Sequence, residues 1–131
     1  MMIRLRRLLL CAAAGLPLAA IACGVCVEDR IAAVYDHALV IRTQQLKQKM
    51  LYLAWDGAVS RDVATRQRLL DVIGSVVGIT LGSVRVSTEP ASIALAFDPA
   101  KTTAEKIEAT LQAKLSKFRM YVTPLQATAL K

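Results

Sequence analysis

The chain has 131 residues, 55% hydrophobic and 21% charged, with 17 Lys and Arg against 10 Asp and Glu, a formal net charge of +7. That length fits one domain, and the basic residues are not clustered as a nucleic-acid footprint requires. With one histidine in the chain, no Ser-His-Asp set stands out. Nor is there a phosphate-binding glycine loop or a paired-carboxylate arrangement, so an independent enzyme is not expected.

The mean hydropathy of +0.44 owes much to the N-terminus. "MMIRLRRLLLCAAAGLPLAAIA", residues 1–22, has the plan of a secretory signal. Arg4, Arg6 and Arg7 form a positive start, residues 8–22 are apolar, and Ala20-Ile21-Ala22 is a small-x-small cleavage site. Cleavage there leaves 109 residues beginning at Cys23, with 14 basic and 10 acidic side chains, a net +4. Two other readings stay open. Ala20-Ile21-Ala22-Cys23 matches a lipobox apart from Ala20, where Leu is usual, so Cys23 is a candidate for acylation. Residues 8–27 are also just long enough for an uncleaved membrane anchor. All three place the folded part in the periplasm or another extracytoplasmic site, or at a membrane. Cys11 falls within the leader and needs no function.

After residues 1–22, a segment over 23–48 carries C-x-x-C, with a helix expected over 25–47. Val27, Ile31, Val34, Ala38 and Ile41 recur at helical spacing, and Glu28 and Asp29 complement the dipole of the first turn. "KMLYLAW", residues 49–55, alternates as a strand, with Leu51, Leu53 and Trp55 on one face and Met50, Tyr52 and Ala54 on the other. "DGAVS" turns the chain. Ser60 is placed to cap a helix running to about Val77, with Val63, Leu70, Ile73 and Val77 as its stripe and Gly78 at its end.

"SVRVST" (83–88) alternates with Val84 and Val86 inward and Arg85 outward, and "SIALAF" (92–97) pairs with it across Glu89-Pro90-Ala91. A second helix follows, with Thr102 and Glu105 at capping-box spacing and Ala104, Ile107, Leu111 and Leu115 as its apolar stripe. "FRMYVT" (118–123) is the last strand, turning Phe118, Met120 and Val122 inward before Pro124. From Lys49 the order is β-α-β-β-α-β. That predicts an α+β, ferredoxin-like sandwich over 49–125, preceded by an extra N-terminal helix and followed by a tail over 126–131. The sheet's second face would carry Met50, Tyr52, Ala94, Ala96 and Tyr121. Its two alanines leave a shallow groove where the 25–47 helix is expected to lie, the alternative being a partner subunit or the membrane surface.

"GSVRVSTEPASIALAFDPAKTTAEKIEATLQA", residues 82–113, resembles the second half of heavy-metal-associated domains. These are small ferredoxin-like modules found in copper chaperones, metal-transporting ATPases and mercury-binding proteins. The likeness rests on the paired strands, the run Phe97-Asp98-Pro99-Ala100-Lys101 and the Thr-Ala-Glu-Lys-Ile helix start. It implies soft-metal binding and transfer to or from a partner protein. The family's M-x-C-x-x-C sits in the loop after the first strand. Here that loop is Trp55-Asp56-Gly57-Ala58-Val59-Ser60, without cysteine, so no ligand carries over to it. Trp55 is expected to cap the core instead.

The chain's C-x-x-C is Cys23 and Cys26, about thirty residues upstream. Two thiols three apart at a helix start lie on one turn, and the positive helix end favours thiolate. Thiolates bind soft ions such as Cu(I) or Hg(II), and they also attack disulfides. Cys23 and Cys26 are therefore the candidate metal ligands, with a metal-donor or metal-acceptor protein as partner. The open alternatives are a thiol–disulfide redox pair or structural disulfide in an oxidising compartment, and a noncatalytic interaction module. His37, eleven residues after Cys26, falls roughly 16 Å along an unbroken helix and is too distant to share a metal with it.

Overall fold

The computed structural model describes residues 26–126. Residues 1–25, with Cys23, and residues 127–131 lie outside the described residues. The elements are α1 (Val27–Val34), α2 (His37–Gln45), β1 (Lys49–Gly57), α3 (Val63–Gly74), β2 (Arg85–Thr88), β3 (Ala91–Phe97), α4 (Ala104–Leu115) and β4 (Met120–Pro124). The four strands form one antiparallel sheet in the order β2-β3-β1-β4. From β1 onward this is the expected ferredoxin-like sandwich.

One face of the sheet makes the core. Leu51 pairs with Leu95, Leu53 with Ile93 and Trp55 with Val122, while Val86 of β2 lies opposite Ile93. Leu69 and Ile73 of α3 and Ile107, Leu111 and Leu115 of α4 close over these side chains, and all five are fully buried. Each such burial contributes about 1.5–3 kcal/mol.

The α3 stripe differs from the expected one. Thr65, Leu69 and Ile73 face inward, Leu70 is half-buried, and Val63 and Val77 are 81% and 85% exposed. Leu69 and Leu70 are adjacent, so the apolar pattern could be phased on either. The phase is settled where the helix starts, at Asp62 rather than Ser60, with the Asp62 carboxylate accepting from Thr65 N–H at 2.9 Å. The cap of α4 is likewise Thr103, not Thr102, its hydroxyl accepting from Lys106 N–H at 3.3 Å. Phe118 is not a strand residue. It ends a 3₁₀ turn over Ser116–Phe118, Arg119 takes a left-handed φ of 58°, and β4 begins at the fully buried Met120. Along the outer edge of β4, Val122 N–H donates to Gln112 Oε1 of α4 at 3.0 Å.

The N-terminal segment is two helices, not the single expected one. They lie against the sheet's second face, α1 over β3 and β2 and α2 over β1, where Ala94, Ala96 and Ser92 are fully buried. Alanine lets the helix backbones approach closely, as the shallow groove requires. Neither Pro nor Gly breaks the segment; Asp36 does. Its Oδ1 accepts from Leu39 N–H at 3.0 Å as the cap of α2, and its Oδ2 accepts from Arg85 Nε and Nη2 at 3.1 and 3.0 Å. Arg85, read from the alternation as outward, is thus held under the α1–α2 corner. A continuous helix would forfeit the cap and the two-pronged ion pair for a few extra backbone bonds, and helix periodicity alone carries no information about a partner 49 residues away.

The Leu39 N–H, and then the Arg85 guanidinium, hold the Asp36 carboxyl below the usual carboxylate range. A depressed carboxyl contributes stability above its unfolded value of about 3.9, and that contribution disappears as pH falls through the folded value. Asp36→Ala is therefore expected to melt below the native chain at neutral pH, with the gap closing below about pH 4. A gap independent of pH in paired melting curves would remove the charged corner as its cause.

Candidate functional site

The loop after β1 is closed by its own side chains. Trp55 is 1% exposed, as expected for a core cap, and its indole N–H donates to Ser87 O at 2.9 Å. Asp56 Oδ1 accepts from Gly57 N–H at 2.7 Å and from Arg61 Nη2 at 3.1 Å. The Arg61 guanidinium lies 4.4 Å from the Trp55 ring centroid, in cation–π contact. This end of β1 offers carboxylate, guanidinium and indole, and no soft donor.

Cys26 is exposed and caps α1, its carbonyl accepting from Arg30 N–H at 3.1 Å. One turn on, Arg30 Nη1 donates to Ala91 O at 2.7 Å. That bond fixes the start of α1 against the start of β3. Arg30 then faces Trp55, Asp56, Arg61 and Glu89 across an open cleft of about 300 Å³. The turn that follows Cys26 is thus brought to the end of the sheet from which the β1–α3 loop departs. About thirty residues of sequence separate Cys26 from that loop, yet the fold seats both at one end of the sheet.

His37 is not brought to Cys26. It opens α2, beyond the far end of the eight-residue α1, which spans about 12 Å. Its Nδ1 lies 3.1 Å from the Tyr35 hydroxyl. Among the described residues no three His, Cys, Asp or Glu side chains come together as a metal cluster. Of the C-x-x-C, Cys26 is the member that falls among the described residues. The Arg30–Arg61 cleft escapes sequence reasoning. Its members come from α1, the β1–α3 loop and the β2–β3 turn, and the one local sign is the spacing of Asp56 and Arg61.

No family model matches the chain, and no curated protein matches it. Among solved structures it is similar to oxidized MerP from Ralstonia metallidurans CH34, at 22% identity over 60% of this chain and 99% of that one, with a TM-score of 0.49. It is also similar to a copper form of a CopA variant from Bacillus subtilis, at 22% identity over 58% of this chain and 90% of that one, with a TM-score of 0.44. Strand order and register, rather than these likenesses, define the fold described above.

Proposed function

We propose that the chain is a noncatalytic, extracytoplasmic domain that binds and relays a soft metal ion, Cu(I) or Hg(II), through the thiolates of Cys23 and Cys26. The supporting observation is the placement of Cys26. It is exposed at the α1 cap, and Arg30 ties the next turn of that helix to the end of the sheet that carries the β1–α3 loop. A metal held there is open to an incoming partner. Transfer proceeds by ligand exchange: a partner thiolate adds to the metal, a three-coordinate ion forms, and one of Cys23 or Cys26 departs. No change of metal oxidation state is involved. Residues 1–22 act as the export signal or anchor that delivers the domain.

The test is anaerobic titration of the reduced full chain with Cu(I) against a chromophoric chelator. One equivalent of metal is expected per chain. Cys26→Ser is expected to weaken binding by at least about a hundredfold, each tenfold being about 1.4 kcal/mol. Equal affinity in the variant overturns the site. Intact mass of the protein from its native compartment separates the competing roles. A diacylglyceryl adduct on Cys23 removes the two-thiol site, and a stable disulfide that takes up no metal after reduction marks a structural bridge. A midpoint in the catalytic range with exchange activity marks a redox pair.

A further inference from the structure

The opposite end of the domain carries a second feature, independent of the thiols. There the segment linking α3 to β2 is pinned to the sheet by alternate residues. Asp98 N–H donates to Gly78 O at 3.1 Å, Ile79 bridges to Phe97, and Thr80 N–H donates to Ala96 O at 2.9 Å. A side chain at Gly78 would run into Thr102, so the segment sits hard against the lead-in to α4. The residues flanking this anchored stretch are held outward. Val77 is 85% and Leu81 96% exposed. These are not the loose ends of a mobile loop. They are two aliphatic side chains presented to solvent on a fixed backbone, and what sets them apart from other exposed apolar side chains is the basic cleft beside them.

Beside Val77 runs a cleft of about 360 Å³ walled by Lys101, Lys106 and Lys114, with no acid in its lining. Lys106 and Lys114 stand two turns apart on one face of α4, with Thr110 between them. The ion pairs among the described residues are Arg61–Asp56 and Arg85–Asp36, so no carboxylate ties down these lysines. On the other side of the tip, Arg42 lines a recess with Leu46 and Leu81. Acids near this end are Asp98, whose Oδ1 accepts from Ala100 N–H at 2.9 Å, Glu105, which lies by Lys49 in a separate cleft, Glu108 one turn on along α4 beside Glu105, and Asp71 in the last turn of α3, which accepts from Gln67; none of them lines the lysine cleft.

We infer that this end docks on an anionic phospholipid surface, with headgroup phosphates in the Lys101–Lys106–Lys114 cleft and Val77 and Leu81 entering the acyl boundary. The pairing of exposed aliphatics with a basic cleft is what selects a bilayer. Nucleic acid or an acidic polypeptide would use the lysines and leave the aliphatics in water, whereas a membrane interface takes both. Docked this way, the domain turns the Cys26 end of α1 away from the lipid, an orientation that goes with residues 1–22 as a cleaved signal and not as an anchor.

The test uses the full chain and a probe that reads position, so that the apolar leader does not confound it. Leu81→Trp is mixed with vesicles of phosphatidylglycerol and phosphatidylcholine carrying brominated acyl chains. The native indole of Trp55 is 1% exposed and does not meet lipid. Strong quenching of the new indole is expected, and much weaker quenching for Tyr121→Trp, at the thiol end. Exchanging Lys101, Lys106 and Lys114 together for Gln is expected to weaken the Leu81-site response on the order of a hundredfold, near fivefold per lysine. All three lysines are exposed, and a native melting curve confirms that the variant folds. Equal quenching at both positions overturns the inference. So does quenching that survives loss of the lysines, or lysine-dependent binding of polyglutamate with no response to vesicles.

Discussion

Trp55→Ala is expected to destabilise the domain by about 3–5 kcal/mol, the range for deleting a large aromatic from a close-packed core. The ring is 1% exposed among Leu53, Ile93, Val86 and Met120 of the same cluster. Three losses coincide in the variant. The ring volume becomes a cavity, Ser87 O loses the indole N–H at 2.9 Å, and Arg61 loses the face it stacks on. Urea unfolding should show a lower midpoint at an unchanged slope. Trp55→Phe isolates the hydrogen bond and is expected to cost about 1 kcal/mol beyond its smaller volume. A shift under roughly 1 kcal/mol for Trp55→Ala would mean that the residue is a surface contact of the β1–α3 loop and not part of the core.

Gly57→Ala is the second large effect. Gly57 closes β1 opposite Met120, and a Cβ there would run into the carbonyl oxygen of Arg119. The obstacle is backbone, on a residue already in the left-handed region at φ 58° as the chain leaves its 3₁₀ turn. A flexible side chain could swing aside; a carbonyl between a turn and a strand moves only with its neighbours. The expected cost is about 3 kcal/mol, at the upper end for overpacking. Because β4 hangs on β1 at this point, the amides of Met120 to Thr123 should lose hydrogen-exchange protection before those of β3. A loss of less than 0.5 kcal/mol, about what a neutral surface change gives, would show that β4 can shift freely.

These outcomes mark where the fold was legible in sequence and where it was not. The strand alternation of Leu51, Leu53 and Trp55, and of Ile93, Leu95 and Phe97, appears in the structure with the expected inward face. That pattern depends on a period of two, which neighbours cannot rephase without turning every side chain over. The helix stripe of α4 was equally legible. The α3 stripe was not, because adjacent leucines at 69 and 70 leave the phase to the cap, and the cap sat two residues later than Ser60 suggested. The break at Asp36 was hidden for a different reason: its partner, Arg85, is remote in sequence, and only the assembled sheet brings the two together. The candidate site divides in the same way. Cys23 and Cys26 are visible as a motif. The approach of Cys26 to the β1–α3 loop end depends on Arg30 reaching Ala91 across 61 residues.

The Gln112 contact on β4 reaches beyond the single hydrogen bond it makes. In an antiparallel strand, alternate residues point their amides outward, so Val122 and Pro124 face the same open side. The outward amide of Val122 is occupied by Gln112 Oε1, and Pro124 has no amide hydrogen to offer. A second polypeptide arriving at this margin finds those two donors withdrawn. The opposite margin, β2, is only four residues long. Withdrawing donors at one margin and shortening the other guards against ribbon-like stacking and fibre growth.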